Sequence, residues 1–176
     1  MYAILHEGKS IDKSFFKLLL DNLKLDKSQV LFYGMGTKSN FFKKEHSQYA
    51  DLKLEIQSEN VTKLLFIIDA DNDFEDTENK LVNIINELNF KEISKFYIAC
   101  NPLTKEGYLE SIILSSLSDV QKNCIENFLE CSEFKSKTHD KSILNEIYKK
   151  AYPNAPYDFT HKNFNELKQK LQNLFK

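Results

Sequence analysis

The residues best suited to chemistry lie in Leu64-Leu65-Phe66-Ile67-Ile68-Asp69-Ala70-Asp71-Asn72-Asp73, where an apolar run stops at three alternating acids. If the backbone stays extended, alternation places Asp69, Asp71 and Asp73 on one side, so three carboxylates converge just past a strand end. That crowding costs Coulomb repulsion unless a cation, a basic side chain or proton uptake relieves it. A divalent metal, which prefers oxygen ligands, answers the requirement most directly.

Other chemistries fit the residues less well. Asp69-x-Asp71-x-Asp73 imitates the opening of an EF-hand, but the sixth position is Phe74 and the twelfth is Lys80, which removes the glycine and the bidentate glutamate that the calcium loop needs. Gly36-Thr37-Lys38-Ser39 resembles a P-loop only superficially, because its lysine does not follow glycine and position 31 is leucine. No serine or cysteine has a base at motif spacing, so a nucleophilic hydrolase is not indicated. His6 reads as a core residue at a strand end, and His46, His139 and His161 as mostly surface.

Charge distribution sharpens the picture. The 176-residue chain has a formal charge of only −2. Asp69 to Glu92, however, holds eight acids against two lysines, and Glu133 to Lys176 holds nine lysines against five acids. An acidic site facing a lysine-bearing tail would hold metal and phosphate together, although most of those lysines are read as solvated surface. There is no arginine, so bidentate guanidinium clamps on phosphate or guanine are impossible and any phosphate contact falls to lysine, backbone amides or metal. Cys100, Cys124 and Cys131 lack zinc-type spacing and are expected to be buried, reduced thiols. No run reaches the length of a signal peptide's core or a membrane span, which points to a cytoplasmic protein with no membrane partner.

The elements that must position these acids follow from periodicity. Tyr2 to His6, Val30 to Tyr33, Lys63 to Ile68 and Lys95 to Cys100 are strand candidates. Between them, Ile11, Phe15, Leu18, Leu19 and Leu23 recur at helical spacing after Ser10 as the N-cap; Phe42, Tyr49, Leu52 and Ile56 suit one long or broken helix; and Leu81, Ile84, Ile85 and Leu88 face inward from a helix capped by Thr77. Beyond Asn101-Pro102 the pattern turns helical: Leu109 to Leu117, Ser118 to Leu129, Lys141 to Lys150 and Thr160 to Phe175, with Tyr152 to Tyr157 as a connector. The repeated strand, loop and helix order predicts an α/β fold, a mostly parallel four-stranded Rossmann-like sheet flanked by helices. Residues 1–115 form its core and residues 116–176 a helical extension packed on it. In such sheets functional residues gather past the carboxyl ends of the strands, where Glu7, Gly34 to Ser39 and Asp69 to Asp73 all fall.

In that order the sequence resembles the Toprim domains. Glu7-Gly8-Lys9-Ser10-Ile11-Asp12 follows strand one like the family's glutamate-glycine signature, Gly34-Met35-Gly36 follows strand two, and Asp69-Ala70-Asp71-Asn72-Asp73 stands where the family carries its DxD. Gly107-Tyr108-Leu109-Glu110 is similar to a glycine-leucine-glutamate segment of small bacterial Toprim-like proteins related to the OLD nucleases. The resemblance covers about residues 1–115. It implies a divalent-metal site for phosphoryl transfer on nucleic acid: Glu7 as metal ligand or general base, Asp69 and Asp71 holding Mg²⁺ or Mn²⁺, Asp73 supporting or binding a second ion, and Glu110 closing the cluster. Two ions roughly 3.5 to 4 Å apart activate water and stabilise the leaving oxygen of a phosphodiester. Lys141 is the lysine chosen to neutralise the transition state, with Lys9, Lys38 and Lys137 as further phosphate contacts.

The tyrosine-bearing cleavage domain of topoisomerases, the added modules of primases and the ATPase half of OLD proteins have no counterpart in this chain, which leaves nuclease or phosphohydrolase chemistry. The alternatives are a scaffold that binds metal, nucleotide or a protein partner without turnover, and a receiver-like phosphoacceptor. The latter is weakened because strand one ends in Glu7 alone rather than an acidic pair.

Overall fold

In the computed structural model, which describes residues 1–8, 11–133 and 157–176, the apolar runs become four parallel strands. These are β1 (Tyr2–His6), β2 (Val30–Gly34), β3 (Lys63–Asp69) and β4 (Ser94–Ala99), in the order β2-β1-β3-β4. Being covered on both faces, the central strands have no polar side to alternate with. Ala3, Ile4 and Leu5 in β1 and Leu64 to Ile68 in β3 are all buried, which is why they read as continuous apolar runs.

Two helical layers enclose the sheet. One face carries α1 (Ile11–Asn22), α5 (Leu109–Ser115), α6 (Asp119–Cys131) and α7 (Asn165–Leu174), whose inward side chains pack on Ile4, Leu65, Ile67, Tyr97 and Ala99. The opposite face carries α2 (Lys38–Phe41), α3 (Ser47–Gln57) and α4 (Phe74–Glu87), packed on Ala3, Leu5, Leu64, Phe66, Ile68 and Ile98. The C-terminal helix is thus part of the core: Leu167, Leu171 and Leu174 are buried on the sheet, and Tyr2 Oη donates to the Phe175 carbonyl. Among the described residues no helix is long and apolar enough to cross a membrane.

Several expectations need correction. Of the two forms expected from Phe42 to Ile56 the broken one is found: Phe42 is the C-cap of α2, α3 starts at Ser47, and Tyr49 Oη donates to the Phe41 carbonyl at 2.6 Å between them. In α1 the inward stripe is Phe15, Phe16, Leu19 and Leu20, while Leu18 is exposed. Thr77 does not cap α4: Asp73 does, its carboxylate accepting from the Asp76 amide at 2.9 Å, while the buried Thr77 hydroxyl donates back to the Asp73 carbonyl. An ionised carboxylate at the positive helix end is the better cap. Cys100 is buried as expected, but Cys124 and Cys131 are exposed, because the buried stripe of α6 is set by Ile125 and Leu129. Ser118 does open α6, in a reciprocal capping box with Gln121. The Ser10 cap, the helix over Lys141 to Lys150 and residues 152–156 of the connector lie outside the described residues.

Candidate active site at the sheet switch point

The chain runs from β1 outward to β2, then returns past β1 to β3 and β4, so the loops leaving β1 and β3 diverge to opposite sides. Such a divergence opens a crevice at the carboxyl ends of the two neighbouring strands. His6 pairs with Ile67, so Glu7 stands one residue past that pair on β1 and Asp69 two past it on β3. Parallel strands lie about 4.8 Å apart. Glu7, just past β1, and Asp69, the last residue of β3, therefore stand at the carboxyl ends of neighbouring strands.

The wall on the β1 side is fixed by backbone. Met35 N donates to the His6 carbonyl and Gly36 N to the Glu7 carbonyl, each at 2.8 Å, which prolongs the β1–β2 pairing into the loops. Gly36 has φ +85°, a left-handed turn open to glycine at little cost. Asn40 Nδ2 then donates to the Met35 carbonyl at 2.7 Å and fixes the loop that carries Lys38. Glu7 is half-buried, with Oε2 closed off from solvent, and His6 behind it is buried between the rings of Phe16 and Phe32.

On the β3 side the acids do not stay on one extended strand. The strand stops at Asp69, Ala70 N still donates to the Ala99 carbonyl, and Asp71 enters the left-handed region at φ +55°. There it forms an isolated antiparallel bridge with Gly107, Asp71 N donating to the Gly107 carbonyl at 2.7 Å. Gly107 has φ +98°, a conformation that favours glycine, and any side chain there would also have to displace the Ser111 hydroxyl. Each carboxylate consequently has its own engagement. Asp69 Oδ1 accepts from the Leu109 amide at 3.0 Å, Asp71 Oδ2 lies 3.3 Å from Lys38 Nζ, and Asp73 turns away to cap α4.

Two features emerge that spacing alone did not reveal. The Asp69–Leu109 bond brings the start of α5, with half-buried Glu110 as its second residue, against the DxD loop. Lys38 crosses from the β2 loop to the β3 loop, donating to the Ala70 carbonyl at 2.7 Å while pairing with Asp71. It is the basic side chain that relieves acidic crowding. The switch point thus assembles Glu7, Asp69, Asp71, Lys38 and the N-terminus of α5 from four separate loops. Lys9, Lys137 and Lys141 lie outside the described residues.

The donor set suits Mg²⁺ or Mn²⁺ in type: carboxylate oxygens and the Ala70 carbonyl are hard ligands, and two of these oxygens already hold the Lys38 ammonium. Among the described residues no three of His, Cys, Asp or Glu stand close enough to form a ready cage. Mg²⁺ needs only one or two protein carboxylates, its remaining positions being filled by water and substrate phosphate. Comparison with protein-family models, with curated proteins and with solved structures finds no match to this chain.

Proposed function

We propose that this chain is a Toprim-like, Mg²⁺- or Mn²⁺-dependent phosphoryl-transfer protein, a nuclease or related phosphohydrolase acting on nucleic acid in the cytoplasm. The observation that supports it is the placement of Glu7 just past β1 and of Asp69 and Asp71 at and just past the end of the adjacent parallel strand β3. Asp69 and Asp71 are assigned to ion binding, Glu110 to completing the ligand set, and Glu7 to binding or to accepting the proton of the attacking water. A bound ion supplies Lewis-acid stabilisation of the phosphodiester oxygens and a more acidic water. Free thiols at exposed Cys124 and Cys131 suit a reducing compartment.

A second reading is a scaffold that binds an ion, a nucleotide or a protein partner without turnover. Cleavage of single- and double-stranded DNA and RNA with Mn²⁺ separates the two. Glu7→Gln and Asp69→Asn are expected to lower cleavage by about 100-fold or more, the scale of losing a positioned acid or base. Asparagine at position 69 keeps an oxygen for the Leu109 amide, so the loop survives the change. Cleavage that both variants retain in full would remove the catalytic assignment.

A further inference from the structure

The two edges of the sheet are protected differently. The order β2-β1-β3-β4 leaves β2 and β4 each with one side unpaired among the described residues. Strand β4 carries Lys95, exposed on the strand itself, and the ammonium of Lys170 in α7 lies 5.9 Å from its Phe96 ring, charge of the kind that deters a stray strand. Strand β2, Val30-Leu31-Phe32-Tyr33-Gly34, has neither charge nor proline, and its last four residues are only half-buried. An uncharged apolar edge is a template for an added strand unless something covers it.

A groove of about 500 Å³ opens against that edge, and its two walls differ in charge. Leu31 and Tyr33 pack toward the α3 side and Phe32 toward the α1 side, as alternation requires. On the α1 wall stand exposed Lys13 and Lys17, one helical turn apart, with the Lys13 ammonium 5.7 Å from the Phe32 ring. Lys27, paired with Asp21, stands at the start of the strand. On the α3 wall stands Glu55; burial and then the charges of Glu55 and Asp51 hold the Tyr33 hydroxyl above its usual pKa.

We propose that β2 is the docking edge for an extended segment of a partner protein that carries an acid at every second position. Its backbone adds a fifth strand beside β2, its acids meet Lys13 and Lys17, and its uncharged alternate residues face Glu55. Charge speaks against the other occupants. A second copy, joined antiparallel about a two-fold axis, would set Lys13 and Lys17 against their own equivalents. A single nucleic-acid strand needs open ring faces for stacking, whereas Phe32 is half-buried beneath Lys13, and it leaves the free N–H and C=O groups of β2 unused. The groove asks nothing of the acids past β1 and β3, so it stands whether or not they hold an ion.

The test titrates the full-length chain with a synthetic peptide, Thr-Glu-Val-Glu-Val-Glu-Thr, followed by fluorescence anisotropy and by amide exchange in NMR. Saturable binding is expected, with slower exchange at the β2 amides that point away from β1. A peptide of the same composition with its three acids in one block should bind several-fold more weakly, because one acid then faces Glu55. Lys13→Glu combined with Lys17→Glu should weaken the alternating peptide about tenfold or more, the scale of losing two exposed ion pairs. Lys91→Glu, an exposed change on the β4 side, should leave it unaltered. No binding of the alternating peptide, equal binding of the blocked one, binding that survives the double reversal, or binding without protection of β2 overturns the proposal. So does a single-stranded oligonucleotide that displaces the peptide and protects the same amides, or a dimer in sedimentation that protects them without any peptide.

Discussion

At the scale of single residues, the acids of the DxDxD run are divided by what their backbone does rather than by their spacing. Asp71 is left-handed and bridged to Gly107, so the chain leaves the extended path before Asp73. Asp73 is then committed to the amide of Asp76. Asp73→Ala should cost about 1 kcal/mol in a denaturant titration, the usual value of an N-cap, and leave Mn²⁺ binding unchanged. Thiol reactivity checks a second residue-level difference. Burial raises the pKa of Cys100, opposed by nearby Lys105 and assisted by Glu166. A thiol reagent at neutral pH should therefore modify Cys124 and Cys131 promptly and Cys100 only on unfolding. The identity of the acids was legible in sequence. Their directions were not, because they depend on Gly107, Leu109 and Lys38, each distant in the chain.

At the scale of elements, what could be read was what periodicity encodes. Strands β1 and β3 stood out because they are apolar on both faces, and α4 because its buried residues recur at helical spacing. Ends and breaks were less legible, since Asp73 and Thr77 are both capping residues and only the bond from the Asp76 amide to the Asp73 carboxylate shows which one opens α4. The break between α2 and α3 depends on Tyr49, whose ring is fully buried and whose hydroxyl bonds to the Phe41 carbonyl. Burial raises its pKa well above the usual value of about 10, and likewise that of Tyr97, where the charge of Glu166 adds to the effect. For groups whose pKa is raised in the folded state, the stability contribution is complete below the unfolded pKa and is lost as pH rises toward the folded one. Stability should thus fall above about pH 10. Tyr49→Phe should lose about 1 kcal/mol at neutral pH, the net worth of one hydrogen bond, and show a shallower alkaline decline in thermal denaturation.

At the scale of the molecule, the class of fold was legible and the strand order was not. Alternating strands and helices dictate a parallel α/β sheet. Only long-range pairing decides that β1 lies between β2 and β3. That arrangement gives Glu7 its meaning: with β1 at an edge it would be one acid in a loop, whereas here it follows the strand that lies beside β3 and its terminal Asp69. The C-terminal helix supports the same end of the sheet by packing: α7 and α5 cover one face, and the Leu109 amide at the start of α5 donates to Asp69.

The proposed function requires that Glu7 and the Asp69 and Asp71 loop form one divalent-ion site. Equilibrium Mn²⁺ binding, followed by the loss of the free-ion paramagnetic resonance signal, tests it most directly. Wild-type protein should bind Mn²⁺ saturably, and Glu7→Gln and Asp71→Asn should each weaken binding about tenfold or more, the scale set by removing a charge-assisted ligand. Wild-type protein that takes up no Mn²⁺, with or without an oligonucleotide present, would contradict it.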